Sequence, residues 1–582
     1  MNFMKALLNL YEELLRTGKI ARAGWTAQKV KYALHLSENG ELIEIFPTVE
    51  QVEGRAKTIE VPMQMNLPAE TKRSSNIDPF FGADNCKYLL GFDENGNTED
   101  YHEHFLRAKD LHHKILDSVD TKTAKAILKF FDNWKPETGL YSEVIQQSFQ
   151  HITKNTPKLI FYVDDFFQKD EKIATAWDEY YAVPSGNPVG QCALTGKMEP
   201  IAPKHPSIKG IFGGQGSGNA IVGCNFDAVE SYGLKKNYNS PISESASVAY
   251  TTALNWLLNS RETSYVVGDT TFLCWSDKID SMTQKIAMSV VFNAQPNDLA
   301  VREKIQAIAA KIMDCEPVSE YQLDEEEHIY FLGLKPLASR TQICFFYENE
   351  FAPFLRNVQK HYKNLLIRAN NIDTNSRHLS LWQMTREVSK NEEEPDMFLY
   401  NKLIPSILYG YPYPSSLLTN LMSRVRAKQD VTWQKAAILK AYYTKNKNLN
   451  CPQEALTMTL NRECTDVAYL FGRMFAVYEL IIQKPSDREN FRKGNFCAAM
   501  TSPTRVAGRL AYLGQIHLRK VQEKFRPRYE KELMEINNMI HAPYPAFMTA
   551  MQQSLFCLGY YHEKSFLFTK KEKEEKEDQE NG

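Results

Sequence analysis

Net charge is what this sequence most lacks: 69 Lys and Arg face 71 Asp and Glu, leaving −2. The overall balance therefore gives no sign of nucleic-acid binding. Any such contact must rest on local patches, because counterion release responds to charges in the groove and not to the sum. Long apolar runs are also missing. None approaches the ~18 residues of a membrane-spanning helix. The N-terminal MNFMKALLNLYEELLR carries Glu12 and Glu13 and no small-residue cleavage site, so it reads as an amphipathic helix and not a signal peptide. The 10 cysteines are scattered with no Cys-x-x-Cys pair, which points to reduced thiols and not a disulfide framework. A cytoplasmic protein with no membrane partner is expected.

Signatures of catalysis are scarce too. There is no His-Asp doublet, no Gly-x-Ser-x-Gly elbow and no paired-carboxylate motif with local support. Asp164-Asp165 has that form but reads as the solvent end of a strand. Four of the 13 histidines, His102, His104, His112 and His113, fall on one expected helix. Zinc on a helix favours His at i and i+4 with an added carboxylate, and that pairing is absent. Cys192 and His205 flank a Pro-rich loop without two further ligands and read as structural. The residues argue against an enzyme and call for no metal and no cofactor. A metal-dependent nucleic-acid-processing enzyme would need acids gathered in space from distant positions, and a protein-only scaffold is the other rival class.

What the sequence does have is a glycine-dense loop, with Gly210, Gly213, Gly214, Gly216 and Gly218 interrupted by Gln215, Ser217 and Asn219. Glycine permits positive φ and leaves no Cβ in the way, so such a backbone can approach a ligand closely. The loop is not a phosphate-binding P-loop, which needs Lys and Ser or Thr after its last glycine; here Asn219 and Ala220 follow. Nor does its G-x-G-x-G spacing fit a dinucleotide fingerprint. A plain surface turn and a ligand contact both remain open for it. Ala220–Val222 reads as a buried strand, and Ser243-Glu244 opens a capped helix.

With 582 residues the chain exceeds one compact core, so two or more domains are expected. The segments 29–36 and 41–46 flank Asn39-Gly40, a hairpin signal, and 87–92 precedes a similar Asn95-Gly96 turn. Helices are expected at 100–117, 121–134 and 300–313, and strands at 158–163, 264–275, 328–334 and 341–347. From about Glu350 only helices follow: 351–367, 397–404, 415–428, 432–445, 466–483, 504–537 and 546–558, with Pro405 ending the second and Pro527 kinking or breaking the sixth. The fold class is α+β, a mixed α/β N-terminal region of several small sheets followed by an all-helical C-terminal bundle. Residues 570–582 read as a disordered charged tail.

Two helical stretches are locally basic. Residues 418–448 hold seven cations (424, 426, 428, 435, 440, 445, 447) against Asp430, and 502–532 hold eight (505, 509, 519, 520, 524, 526, 528, 531) against three acids. Tyr442, Tyr443, Tyr512 and Tyr529 are interleaved, as in a groove that follows a single strand by charge and stacking. A solvated helix face is the alternative. Lys72-Arg73-Ser74-Ser75-Asn76 offers cations and hydroxyls to phosphate oxygens and an amide to a base edge, against the alternative of a polar loop.

The runs GGQGSGNAIVGCNF, KRSSNIDPFFGADNCKYLLGFD (72–93), CALTGKMEPIAPKHPSIKG (192–210), YGYPYPSSLLTNLMSRVRA (409–427), YLFGRMFAVYEL (469–480) and FCLGYYHEK (556–564) are spread over nearly the whole chain. Together they resemble the large subunit of the type I-C (Dvulg-type) CRISPR Cascade surveillance complex. The resemblance implies a protein that recognises a protospacer-adjacent motif in double-stranded target DNA, promotes R-loop formation and stabilises the displaced strand. It implies as partners the CRISPR RNA-bound backbone subunits, a helicase-nuclease effector and small-subunit copies made from an internal start, for which Met458 is the candidate. On that basis residues 1–350 would serve motif recognition and docking, 351–457 a helical connection, and 458–569 a bundle like the small subunit. The DNA-contacting residues implied are Lys72, Arg73, Ser74, Ser75, Asn76, Gly213, Gly214, Gln215, Gly216, Ser217 and Asn219, with Gln215 as a minor-groove wedge. Arg424, Arg426, Lys428, Arg505, Arg509, Arg519 and Lys520 join them as cations for the strand.

Overall fold

The Asn39-Gly40 signal forms the hairpin its chemistry favours. Gly40 takes a φ of +80°, and strands Tyr32–Leu36 and Leu42–Pro47 pair antiparallel around it. The structure, a computed structural model, describes residues 3–22, 24–53, 58–70, 77–181, 186–224, 227–368, 378–391, 393–482 and 484–580. The chain divides into two units, one of Asn2–Pro206 with Val222–Ala253 and a larger one of Ser207–Ile221 with Leu254–Gly582. Residues 350 and 458, expected as boundaries, both lie inside the larger unit.

In the smaller unit, one sheet runs Leu42–Pro47, Tyr32–Leu36, Leu159–Tyr162, Ala83–Asp84, with the middle pair parallel. Helices His102–Leu116 and Lys122–Asn133 supply its aromatic core, where Phe130 and Phe131 each lie 5.6 Å from Phe161. The expected strand 29–36 is split: Trp25–Val30 leaves to pair with Thr58–Pro68 in a second sheet. Residues 87–92 are not extended either. Asn85 Oδ1 accepts the Lys87 amide at 3.1 Å and nucleates the short helix Cys86–Leu89, a local cap overriding an apolar run. Ser243 does cap the helix Glu244–Asn259, its hydroxyl accepting the Ala246 amide at 3.3 Å.

The larger unit is built on an antiparallel sheet in the order Ser264–Val267, Thr270–Ser276, His328–Leu337, Arg340–Glu350. The single strand expected at 264–275 is thus a hairpin, turning at Gly268. After Glu350 every described element is helical. One apolar core joins the sheet (Phe331, Tyr347) to the helices on both sides of residue 458, including Phe354, Tyr443, Phe475 and Phe556. Pro405 does not end its helix, which continues from Met397 to Tyr409 and stops at left-handed Gly410. Burial of Leu403, Ile404, Ile407 and Leu408 offsets the ~3 kcal/mol that an interior proline costs. Pro527 sits instead in the first turn of Arg526–Met539, separated from Pro503–Leu518, where its missing N–H costs nothing. Helices Leu381–Glu387 and Pro485–Thr501 were not foreseen.

The helix Val467–Leu480 is buried on all sides from Ala468 onward. A Cβ at Gly472 would strike the Phe556 carbonyl, and one at Gly559 the Tyr469 carbonyl, so this helix and Ala550–Glu580 cross backbone to backbone. Beside the crossing lies a buried ionic cluster. Arg473, fully buried, donates from Nε to Glu563 at 2.8 Å and from Nη2 to Glu532 at 2.9 Å. The segment expected as a disordered tail continues the last helix to Glu580.

Candidate nucleic-acid interface

The glycine loop is a closed finger. Ile208 and Asn219 exchange backbone hydrogen bonds at 2.8 Å each and pin its neck. At the tip, the Gly214 amide donates to Ile211 O at 3.0 Å and the Gly218 amide to Gln215 O at 2.9 Å, giving two successive turns. Asn219 fills the inside: its Oδ1 accepts the Gln215 amide at 3.0 Å, while Nδ2 donates to the carbonyls of Ala338 and Arg340 at 2.9 and 3.0 Å. It is 2% exposed, so it is a brace and not the DNA contact the sequence reading made it. The expected strand 220–222 reduces to a bridge between Ala220 and Arg340, because the edge it meets is the hairpin turn at Ala338–Ser339.

Four of the five glycines are explained by the fold, Gly210 by its φ of +94°. Gly213 and Gly218 have positive φ, and a Cβ on Gly214 would strike the Asn219 side chain. Gly216 is different: it has no positive φ and nothing within 4 Å of a built Cβ. The fold does not require it. Gln215, Gly216 and Ser217 are exposed, and beside them Phe212 is 56% exposed with its amide donating to Thr271 Oγ1 at 3.2 Å.

The helix Pro503–Leu518 presents a second candidate surface. Val506, Leu510 and Leu518 are buried, while Arg505, Arg509 and Tyr512 at i, i+4 and i+7 are exposed, with Arg519 and Lys520 exposed just beyond. Tyr512 is 68% exposed, and Gly508 faces open space. The first basic stretch behaves otherwise. The helix Trp433–Lys445 is buried along most of its length. Lys440 donates to Asn364 O at 2.9 Å and Lys445 to Ser406 O at 2.7 Å. Burial pushes their ammonium groups down to about 8 and about 7. Tyr442 and Tyr443 are likewise core residues.

Arg426 turns toward Gln553 Oε1 at 2.7 Å. Arg424 and Lys428, on the same helix Ser415–Lys428, line a pocket of about 390 Å³ with Arg386, Lys435 and Arg492, against the carboxylates of Glu387 and Asp430. The structure thus brings three cations of the first basic stretch, Arg424, Lys428 and Lys435, together with two that sequence reasoning had not gathered there, Arg386 and Arg492. Residues Lys72–Asn76 lie outside the described residues.

The histidine group separates rather than gathers. His112 is buried, accepting the Gly82 amide at Nε2 (2.9 Å) and donating from Nδ1 to Ala108 O (2.7 Å). His113 faces Asp117 and Asp132, His102 faces Glu137, and His104 packs on Tyr88 and Tyr101. Among the described residues no three His, Cys, Asp or Glu side chains are grouped to hold a metal ion. None of the described helices is long and apolar enough to cross a membrane.

The family model described as CRISPR-associated protein (Cas_Csd1) matches residues 7–568. The chain belongs to this family. No curated protein matches it. The matched span takes in the glycine finger, the basic pocket and the exposed cationic helix of this CRISPR-associated protein. Arg386 and Arg492 escaped the sequence reading because their helices did. The one available signal was the Ser380/Gln383 pair, a capping box whose two reciprocal hydrogen bonds measure 3.2 and 2.9 Å.

Proposed function

We propose that this CRISPR-associated protein is the non-catalytic large subunit of a type I-C Cascade complex. In this reading it recognises the protospacer-adjacent motif in double-stranded DNA, helps open the duplex, holds the displaced strand and recruits the helicase-nuclease. The observation that carries the reading is the braced finger with Gln215 and Gly216 exposed at its tip. A narrow, side-chain-poor backbone held by a buried asparagine suits insertion into a groove, where phosphate contacts position the protein and a short motif is read. Gly216, which the fold does not need, is accounted for by close approach of a partner.

The exposed face of Arg505, Arg509, Tyr512 and Arg519 supports a strand-holding role by charge and stacking. For small-subunit copies, Met458 lies 51% exposed ahead of the helix Val467–Leu480, a position from which an internal start would keep that helix whole. The partners are then the CRISPR RNA-bound backbone subunits, target DNA and the helicase-nuclease.

The test is target binding by the reconstituted complex, on DNA duplexes differing only in the base pairs that flank the guide-matched region. Gln215→Ala and Gly216→Ala are expected to weaken flank-dependent binding while leaving the melting temperature unchanged. Binding that ignores the flank contradicts the large-subunit reading, and divalent-metal-dependent cleavage by the isolated protein contradicts its non-catalytic part.

A further inference from the structure

Arg386 stands in the wall of two pockets of the larger unit. One is the basic pocket described above. The other, of about 530 Å³, is lined by aromatic side chains that include Tyr265, Phe292, Tyr362 and Trp382, with His378 also in the wall. Its construction follows from the short helix Leu381–Glu387. The capping box fixes the start of the helix, and the i,i+4 spacing then puts Arg386 over the Trp382 ring, Cζ 5.0 Å from the centroid. Leu381, Met384 and Thr385 are buried, whereas Trp382 is left 42% exposed. Tyr265 stacks on Phe292 at 5.1 Å and 26°. The Tyr362 hydroxyl is satisfied by Val290 O at 2.8 Å, and the His378 ring by Asp314 at 3.0 Å.

The two pockets differ in the chemistry they offer. The first is lined by five cations against two carboxylates; Arg492 is paired with Glu479 at 3.2 Å and faces Asp430 at 3.9 Å, and Lys435 is only 6% exposed. That is an anion's environment. The second offers ring faces with polar edges such as Asn293 and Gln383, within the usual volume range of small-ligand sites. A planar aromatic group next to an anion is the composition of a nucleotide.

We propose that the two pockets together seat one nucleotide of a single nucleic-acid strand. The base lies in the aromatic pocket against Trp382, the adjoining phosphate lies in the basic pocket, and Arg386 sits between them. Stacking on an aromatic face is tolerant of sequence because every base has such a face, so the seat holds a strand without reading it. The inference rests on the nucleic-acid reading above and adds to it a discrete base-and-phosphate site separate in sequence from the finger and from the 503–520 face. Should the chain start internally at Met458, the fragment keeps Arg492 but lacks Trp382, Arg386, Arg424, Lys428 and Lys435, so the seat belongs to the full-length chain.

The test uses the full-length protein and fluorescence anisotropy at fixed salt with three probes: oligothymidylate, a strand of equal length made of abasic sites, and free thymidine monophosphate. Trp382→Ala is expected to weaken oligothymidylate about tenfold and to leave the abasic strand unchanged, with Trp382→Phe restoring most of the loss. Arg424→Ala with Lys428→Ala is expected to weaken both strands. The base seat is overturned if Trp382→Ala leaves oligothymidylate unchanged or weakens both strands equally. Thymidine monophosphate competing at concentrations comparable to the strand overturns the strand assignment in favour of a free-nucleotide site. If the wild type binds neither strand, the nucleic-acid reading itself fails. A wild type that binds both strands with no Trp382 effect fails this inference alone.

Discussion

The two basic stretches have similar charge density in sequence and opposite fates in the fold. In 433–445 the cations point inward. Lys440 is buried and Lys445 half-buried, and both donate to main-chain carbonyls. In 503–520 the apolar residues take one side and Arg505, Arg509, Arg519 and Lys520 lie on the exposed side, Arg509 also donating to Asn495 Oδ1. A buried ammonium stabilises the carbonyl it meets and is lost to a partner. An exposed one with a tyrosine beside it keeps its charge for a polyanion. Local charge therefore indicates a nucleic-acid surface only once the neighbouring helix faces are known.

The largest effect expected on the buried side is at Arg473. Arg473→Ala leaves Glu563 buried without its guanidinium and Glu532 held by Arg462 alone, and should cost about 3–5 kcal/mol, read as a fall in denaturation midpoint. Next, Gly472→Ala drives a methyl into the Phe556 carbonyl and should cost at least about 1–3 kcal/mol. Gly216→Ala should stay within about 0.5 kcal/mol, which carries the same contrast over to glycines.

A pH-dependent effect follows from Lys445, held at about 7 in the fold against about 10.5 unfolded. Between those values the unfolded chain keeps a proton that the native chain has lost, so stability rises with pH. The slope at pH 7–9 should exceed that of Lys445→Met by up to about 1.4 kcal/mol per pH unit. Equal slopes would mean that the fold does not hold the Lys445 proton more weakly than the unfolded chain does. Smallest of all, Arg505→Ala should leave stability within about 0.5 kcal/mol.

Much of this architecture was legible because it rests on local chemistry. Asn39-Gly40, the Ser243 cap and the periodicity of 300–313 each specify their element without help from elsewhere. What escaped depends on distant packing. Pro405 stays helical because Leu403, Ile404, Ile407 and Leu408 are buried around it. The interior of the finger is set by Asn219 reaching carbonyls more than a hundred positions away. At the candidate site, Gln215, Ser217, Arg505 and Arg509 are exposed, whereas Asn219 is a brace and Arg426 faces Gln553. Arg386 and Arg492 carried no periodic apolar signal strong enough to reveal their helices.

The most direct test of the distinction between the two stretches is the salt dependence of single-strand binding by the full-length protein. Wild type is compared with the triple variant Arg505→Ala, Arg509→Ala, Arg519→Ala and with Lys440→Met. Each cation that contacts a strand phosphate contributes about 0.7 to the slope of log affinity against log salt, so the triple variant should lose about 2 from that slope while Lys440→Met loses none. A triple variant with the wild-type slope, or a Lys440→Met chain with a reduced one, would contradict the assignment of the 503–520 face to nucleic acid.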